Sequence, residues 1–193
     1  IQEGAGLGRM RWRDLDHDGK ITELDQTWIY DPVPDFTYGF NIYLEYKNFD
    51  FTAFFQGVQG VDIISDLKRE TDIWAGLNIG FLNKGHRLLN AWCVDNPSSN
   101  IPAVTLSDNN NEKRVSTYWV ENGSYLKLRT IQLGYNLPQN IVSKLSMQRL
   151  RMYVSAQNLF TIKSSSFTGV DPENPNYGYP IPLNITFGLN VTF

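Results

Sequence analysis

One cysteine, Cys93, stands in a chain of 193 residues. An internal disulfide and a thiolate metal cluster are therefore both excluded. Histidines number only two, His17 and His86. The Gly-x-Ser-x-Gly elbow, the phosphate-binding glycine loop and a paired nucleophile and base are all missing, so no enzyme signature emerges. No apolar run approaches the ~18 residues of a membrane-crossing helix, which leaves open a barrel, whose strands are only half apolar. Basic excess is absent too: the formal charge is −3. That removes the global field of a nucleic-acid binder, and no nucleic-acid partner is expected. The chain opens Ile1-Gln2-Glu3-Gly4, without the charged-then-apolar start of a secretory leader.

What is present is aromatic and alternating. Aromatics make up 13% of the chain, with 11 Phe, 10 Tyr and 5 Trp, at home in β-rich proteins and in the girdles of membrane barrels. From Leu183 to Phe193 every second residue is apolar (Leu183, Ile185, Phe187, Leu189, Val191, Phe193). Asn184, Thr186, Gly188, Asn190 and Thr192 alternate with them. Successive strand side chains point to opposite faces, so this pattern predicts a strand with one apolar and one polar face. A tilted membrane strand and the edge of a soluble sandwich would both read this way.

Four more strands follow the same rule. Phe36 to Tyr46 and Phe49 to Phe55 read as a hairpin across Lys47-Asn48. Tyr118 to Leu137 reads as one strand, with Asn122-Gly123 as a turn or bulge signal and a phase slip near Arg129-Thr130 that predicts a bulge. Pro138 to Met147 reads as a short connection with one helical turn, and Arg149 to about Ile162 as the next strand. Within residues 57–114, Ile63 to Leu67 and Trp74 to Leu89 have spacing compatible with short helices. Residues 163–182 form the second long connection, holding Asp171-Pro172-Glu173-Asn174-Pro175. Asp171 and Glu173 are paired acids of the glycosidase kind, but within a proline-rich stretch they read as a rigid turn.

Short links thus alternate with long ones, the layout of outer-membrane barrels with short periplasmic turns and long external loops. That places Tyr46, Phe49, Tyr135 and Phe193 at the periplasmic rim. Asn41, Tyr43, Glu45, Asp50, Arg149, Arg151, Tyr153 and Gln157 should face the lumen, and Phe36, Phe40, Phe51, Val154 and Phe187 the lipid. Five strands fall short of the smallest barrels, of about eight. Open edges in lipid are not viable. The expectation is an all-β, antiparallel transmembrane barrel segment, the C-terminal part of a larger barrel, beginning inside an external loop.

One motif carries ligand chemistry. Asp14, Asp16, Asp18 and Asp25 occupy positions 1, 3, 5 and 12 of a calcium-loop template, Gly19 position 6 and Ile21 position 8. Alternate carboxylates converge on one cation, Gly19 allows the sharp turn, and the Lys20 carbonyl fills position 7. Asp at position 12, where the template has Glu, is the one departure. The expected ion is a structural Ca²⁺ held by Asp14, Asp16, Asp18, Lys20 and Asp25, outside the cell. A solvated acidic turn without metal is the alternative.

Several stretches resemble the C-terminal end of the SusC/RagA family of TonB-dependent outer-membrane transporters. They are Asp14-Leu15-Asp16-His17-Asp18-Gly19-Lys20-Ile21, Pro34-Asp35-Phe36-Thr37-Tyr38-Gly39-Phe40 and Phe54-Phe55-Gln56-Gly57-Val58-Gln59-Gly60. Asn122 to Arg129, Leu133 to Pro138, Tyr153 to Phe160 and Phe187 to Phe193 follow in order. The resemblance implies a barrel of about 22 strands with a plug absent from this chain, energised through TonB. It also implies a SusD-like surface lipoprotein as lid, and glycans or peptides as cargo. Placement in the outer membrane of a Gram-negative bacterium would set the wall against lipid and lipopolysaccharide. Phe193 would act as the assembly signal read during insertion. The competing reading is a soluble calcium-bearing, all-β carbohydrate-binding module, which would purify without detergent.

Overall fold

The computed structural model describes residues 2–73, 84–175 and 178–193. Strands β1 (Phe36–Tyr46), β2 (Phe49–Gln59) and β3 (Asp62–Ile64) come first, then helix α1 (Asp66–Asp72). Strands β4 (Val120–Asn122) and β5 (Tyr125–Asn136), helix α2 (Gln139–Val142), and strands β6 (Arg149–Lys163) and β7 (Asn184–Thr192) follow. Short 3-10 turns lie at Glu23–Asp25, His86–Asn90, Thr117–Trp119 and Ser143–Leu145. The chain divides into two units. One comprises Ile1–Tyr30, Ile63–Glu121 and Pro175–Tyr177; the other comprises Asp31–Asp62, Asn122–Asn174 and Gly178–Phe193.

The second unit is built on one five-stranded sheet in the order β1-β2-β5-β6-β7, antiparallel throughout. Lys47, with φ of 54°, turns the chain between β1 and β2, the left-handed step a two-residue hairpin loop requires. Register then decides which side chains share a face. Ile42, Ala53, Ile131, Ala156 and Ile185 stand in one cross-strand row, and Leu44, Phe51, Leu133, Val154 and Phe187 in the next. Tyr46, Phe49, Tyr135, Met152 and Leu189 form a third, with the Phe49 and Tyr135 rings 4.6 Å apart. Rows of the opposite face read Tyr43, Thr52, Gln132, Ser155, Thr186 and Glu45, Asp50, Gly134, Tyr153, Gly188. The expected segregation into an apolar and a polar face is thus carried by pairing across all five strands. The apolar face is bare: Phe187 is 81% exposed, and Leu44, Leu189 and Ile185 are exposed with it.

The bulge lies where the phase slip placed it. Phe54 pairs with Thr130 and Phe55 with Leu128, so Arg129 is the extra residue of β5. Arg129 and Thr130 consequently both point to the polar face, and the alternation beyond them continues in shifted phase. Strand β6 answers with Asn158 at φ of 56°, a conformation Asn tolerates better than most residues.

Two expectations need correction. Tyr118 and Trp119 belong to a 3-10 turn, and the strand expected over Tyr118–Leu137 is broken into β4 and β5. The break falls at Gly123-Ser124, where the Gly123 amide donates to the Val61 carbonyl and the Ser124 hydroxyl accepts from the Gly60 amide. Of Ile63 to Leu67 only Asp66 and Leu67 are helical: β3 pairs with β4 as a separate two-stranded sheet, and α1 starts at Asp66. Ser65 caps it by accepting from the Lys68 amide at 3.1 Å. Of the stretch from Trp74 to Leu89, residues 74–83 lie outside the described residues, and His86–Asn90 form a 3-10 turn. The helical turn expected near Ile141 is present as α2 and the 3-10 turn after it, ended by Ser146 at φ of 54°.

In the first unit the core is Trp119, fully buried, against Ile73, with Met10, Ile64 and Tyr118 packed on them. Trp119 donates its ring N–H to the Arg114 carbonyl at 2.9 Å. That satisfies the one polar atom of a buried indole.

Candidate functional site

The acidic loop, Asp14 to Asp25, lies in the first unit. Asp14, Asp16 and Asp18 present carboxylate oxygens within 4.8 Å of one another. Backbone amides fold the loop around them. The Asp14 carboxylate accepts from the His17 amide at 2.6 Å and the Gly19 amide at 2.9 Å, and Asp18 accepts from the Lys20 amide at 2.7 Å. His17 at φ of 63° and Gly19 at φ of 81° supply the left-handed steps of the turn. An all-oxygen trio that must otherwise bear its own repulsion fits a hard cation.

Asp25 stands apart from the trio. Its carboxylate accepts from the Leu15 and Thr22 amides, both at 2.7 Å, closing a capping box on the Glu23–Asp25 turn. The amide bonds from Thr22 and then Leu15 hold its carboxyl below the usual carboxylate range. In this conformation Asp25 clasps the two ends of the loop.

The polar sheet face of the second unit carries two ionic clusters. Toward the short-turn rim, Arg151 on β6 grips Asp50 on β2 with two parallel bonds, one of them Nε to Oδ1 at 2.9 Å. The intervening β5 residue is Gly134, and a Cβ there would fall 2.4 Å from the Arg151 guanidinium and 2.5 Å from both Asp50 oxygens. The bidentate pair spans three strands only because that position is bare. Arg149 extends the cluster by donating to the Asn136 side-chain oxygen at 2.9 Å.

Toward the long-loop rim, Lys127 on β5 is 1% exposed. Its ammonium meets both Asp171 oxygens at 3.1 Å and Glu173 at 2.5 Å. Tyr125 donates to Glu173 at 2.6 Å, Arg129 bonds Glu173 as well, and the Arg129 Nε donates to Gln56 at 2.8 Å. Two cations and two carboxylates neutralise one another, as burial demands. Burial by itself would raise the Glu173 carboxyl; the bonds from Lys127, Tyr125 and Arg129 outweigh it and bring it down to about 2. The turn expected at Asp171–Pro175 therefore exists, with Asn174 donating its amide to the Asp171 carbonyl, and its acids are consumed by ion pairs.

Phe193 lies just beyond β7 and is exposed. Asn41, Tyr43, Glu45, Asp50, Arg149, Arg151, Tyr153 and Gln157 share the polar face, and Phe36, Phe40, Phe51, Val154 and Phe187 the other. The pairing of Lys127 with Asp171 and Glu173 went unread in the sequence. Its one local signal was a lysine standing between Leu126 and Leu128 on the polar phase of β5. Separately, the first unit holds an open cleft of about 1330 Å³ walled by Trp12, Trp28, Tyr30 and Trp92 with Arg11 and Arg13.

No family model matches the chain. It is 37% identical over 196 residues to TonB-dependent receptor P3 of Formosa agariphila, covering 93% of this chain and 18% of that protein. It is 27% identical to the TonB-dependent receptor SusC of Bacteroides thetaiotaomicron, over 93% of this chain and 17% of SusC. Among solved structures, the RagAB peptide importer in the closed-closed state superposes with a TM-score of 0.73 at 27% identity, covering 93% of this chain and 20% of that one. The chain spans about a fifth of the length of the proteins it matches.

Proposed function

We infer from its membership of the SusC/RagA family of TonB-dependent receptors that this chain forms five adjacent wall strands of an outer-membrane importer of glycans or peptides in a Gram-negative bacterium. The observation that carries the reading is the sorting of the sheet. Five strands in register place aliphatic and aromatic side chains on one bare face and paired charges on the other. A bare apolar face of that extent is a liability in water and a requirement in lipid. The two edge strands, β1 and β7, pair with further strands of the same barrel, since unpaired edges are not tolerated there.

The rest of the receptor supplies the plug and the segment that engages TonB, and a SusD-like lipoprotein lids the barrel. The long connections are the surface assigned to that partner. Trp28, 91% exposed on the aromatic cleft, supports this, because exposed Trp and Arg are the side chains such interfaces concentrate. The outer wall meets lipid below and lipopolysaccharide at the external rim. Asp14, Asp16 and Asp18 hold a structural Ca²⁺, with the Lys20 carbonyl beside them and Asp25 clasping the loop or completing the shell. Phe193 serves as the assembly signal.

Purifying the full receptor from outer membranes tests this directly. It should need detergent, bring down a lipid-anchored partner, and be required for uptake of an oligosaccharide or peptide. Recovery of the receptor from the soluble fraction, alone, would overturn it. For the ion, calorimetry should give a dissociation constant on the order of 10⁻⁴–10⁻³ M. Asp16→Ala with Asp18→Ala should abolish that heat; unchanged binding would leave a solvated acidic turn.

A further inference from the structure

The connection after β6 does not leave the sheet. Along residues 167–171 burial alternates: Phe167, Gly169 and Asp171 are buried while Thr168 and Val170 are exposed. The segment curls through a turn at each end, where the Phe167 amide donates to the Ser164 carbonyl and the Asn174 amide to the Asp171 carbonyl, with Phe167, Gly169 and Asp171 packed down between them. Both its ends are fastened. At the near end the Ser164 amide donates to the Ser124 carbonyl at 3.1 Å, and the Lys163 ammonium reaches the Gly169 carbonyl and lies 5.1 Å from the Phe167 ring centre. At the far end Asp171 and Glu173 close on Lys127, Arg129 and Tyr125. Lys127, in register with Gln56 of β2, and the bulge residue Arg129, which donates to the Gln56 side chain, belong to the polar side of β5, on the far side from Leu128 and Phe55.

The geometry points to residues 164–174 forming a strap that is latched across the inner face of the wall and narrows the transport path at its outer end. Given the barrel orientation of the proposed function, the polar side is the lumen, and the latch draws the strap inward. The fastening is electrostatic and local. Lys127 is a buried cation whose counter-charges both come from the strap, so strap and strand are stable together and each is left with uncompensated charge when they part. Asp171 and Glu173 therefore act as positioning residues for the path, with no chemistry of their own.

The test uses the full receptor in intact cells, with Ser155→Cys on the inner face as the sole cysteine and a membrane-impermeant maleimide as probe. Ser155 stands in the same row as Gln132, one step further from the latch than Gln157. Labelling should be slow in the otherwise native receptor and several-fold faster once Asp171→Asn and Glu173→Gln are introduced. Lys127→Arg keeps the cation and should stay slow. Leu189→Cys, on the opposite face, should resist the probe in every background and reports a damaged wall. Were it to label in the double variant, Glu173→Gln alone takes that variant's place. Equal rates with and without the strap carboxylates, with Leu189→Cys protected, would overturn the strap while leaving the barrel intact. Labelling of Leu189→Cys in preference to Ser155→Cys in the otherwise native receptor would overturn the orientation, and the strap with it.

Discussion

Lys127 and Gly134 sit seven residues apart on one strand and solve opposite problems. Lys127 brings a charge into a buried place and must find carboxylates there; Gly134 clears room so that two charges on the strands either side of β5 can meet. Removing the Lys127 charge with Met should cost about 3–5 kcal/mol, because Asp171 and Glu173 would remain against an apolar chain. Chemical unfolding of the refolded receptor reads this out. Gly134→Ala should displace the Arg151 guanidinium and destabilise the receptor, and its effect should nearly vanish in an Asp50→Ala background. The pH response of the latch follows from Glu173. Its carboxyl is lowered to about 2 from an ordinary value near 4.5, so its contribution is complete above the unfolded value and is lost as pH falls through about 2. The labelling rate of Ser155→Cys relative to that in the Asp171→Asn, Glu173→Gln background, a ratio in which the thiolate fraction cancels, should therefore stay constant between pH 5 and 8, and a change of the ratio in that range would have to come from another group.

At the scale of elements, β7 shows how pairing converts a pattern into a wall. Phe187 lies in a row with Val154, Leu133, Phe51 and Leu44, and is largely exposed. Phe187→Arg should cost about 2–4 kcal/mol at the bilayer midplane and less nearer a rim; a neutral result in folding assays would mean the face is not in lipid. The β5 bulge is a second element-scale device. By adding Arg129 to the strand it turns two consecutive side chains, Arg129 and Thr130, to the polar side. Arg129 keeps the phase of Lys127 and reaches Gln56 and Glu173, while Thr130, which strict alternation from Lys127 would have sent into the apolar face, joins the polar side.

For the whole molecule, the sheet is an open piece whose completion lies in strands beyond this chain. Phe193, exposed beside the short-turn rim, is where assembly should be most sensitive. Deleting it should lower the amount of receptor in the outer membrane, measured by quantitative blotting of membrane fractions, whereas a plain girdle aromatic would be dispensable.

Period-two alternation, loop lengths and the Asp-rich loop were legible in the residues alone, because each is a local consequence of strand geometry, turn chemistry or cation coordination. On that basis the sequence by itself determined five antiparallel strands, their two faces, the bulge near Arg129 and the convergence of Asp14, Asp16 and Asp18. Tertiary structure alone decided the partners of charges far apart in the chain. Asp50 meets Arg151 and Lys127 meets Asp171 across 101 and 44 residues, separations that carry no periodic signal. It also decided that Asp25 serves as a cap and that Tyr118 and Trp119 leave the strand, Trp119 for the core of the first unit. A buried charge accepts whichever opposite charge the fold delivers, and an aromatic ring whichever core will enclose it. Both choices are made by packing.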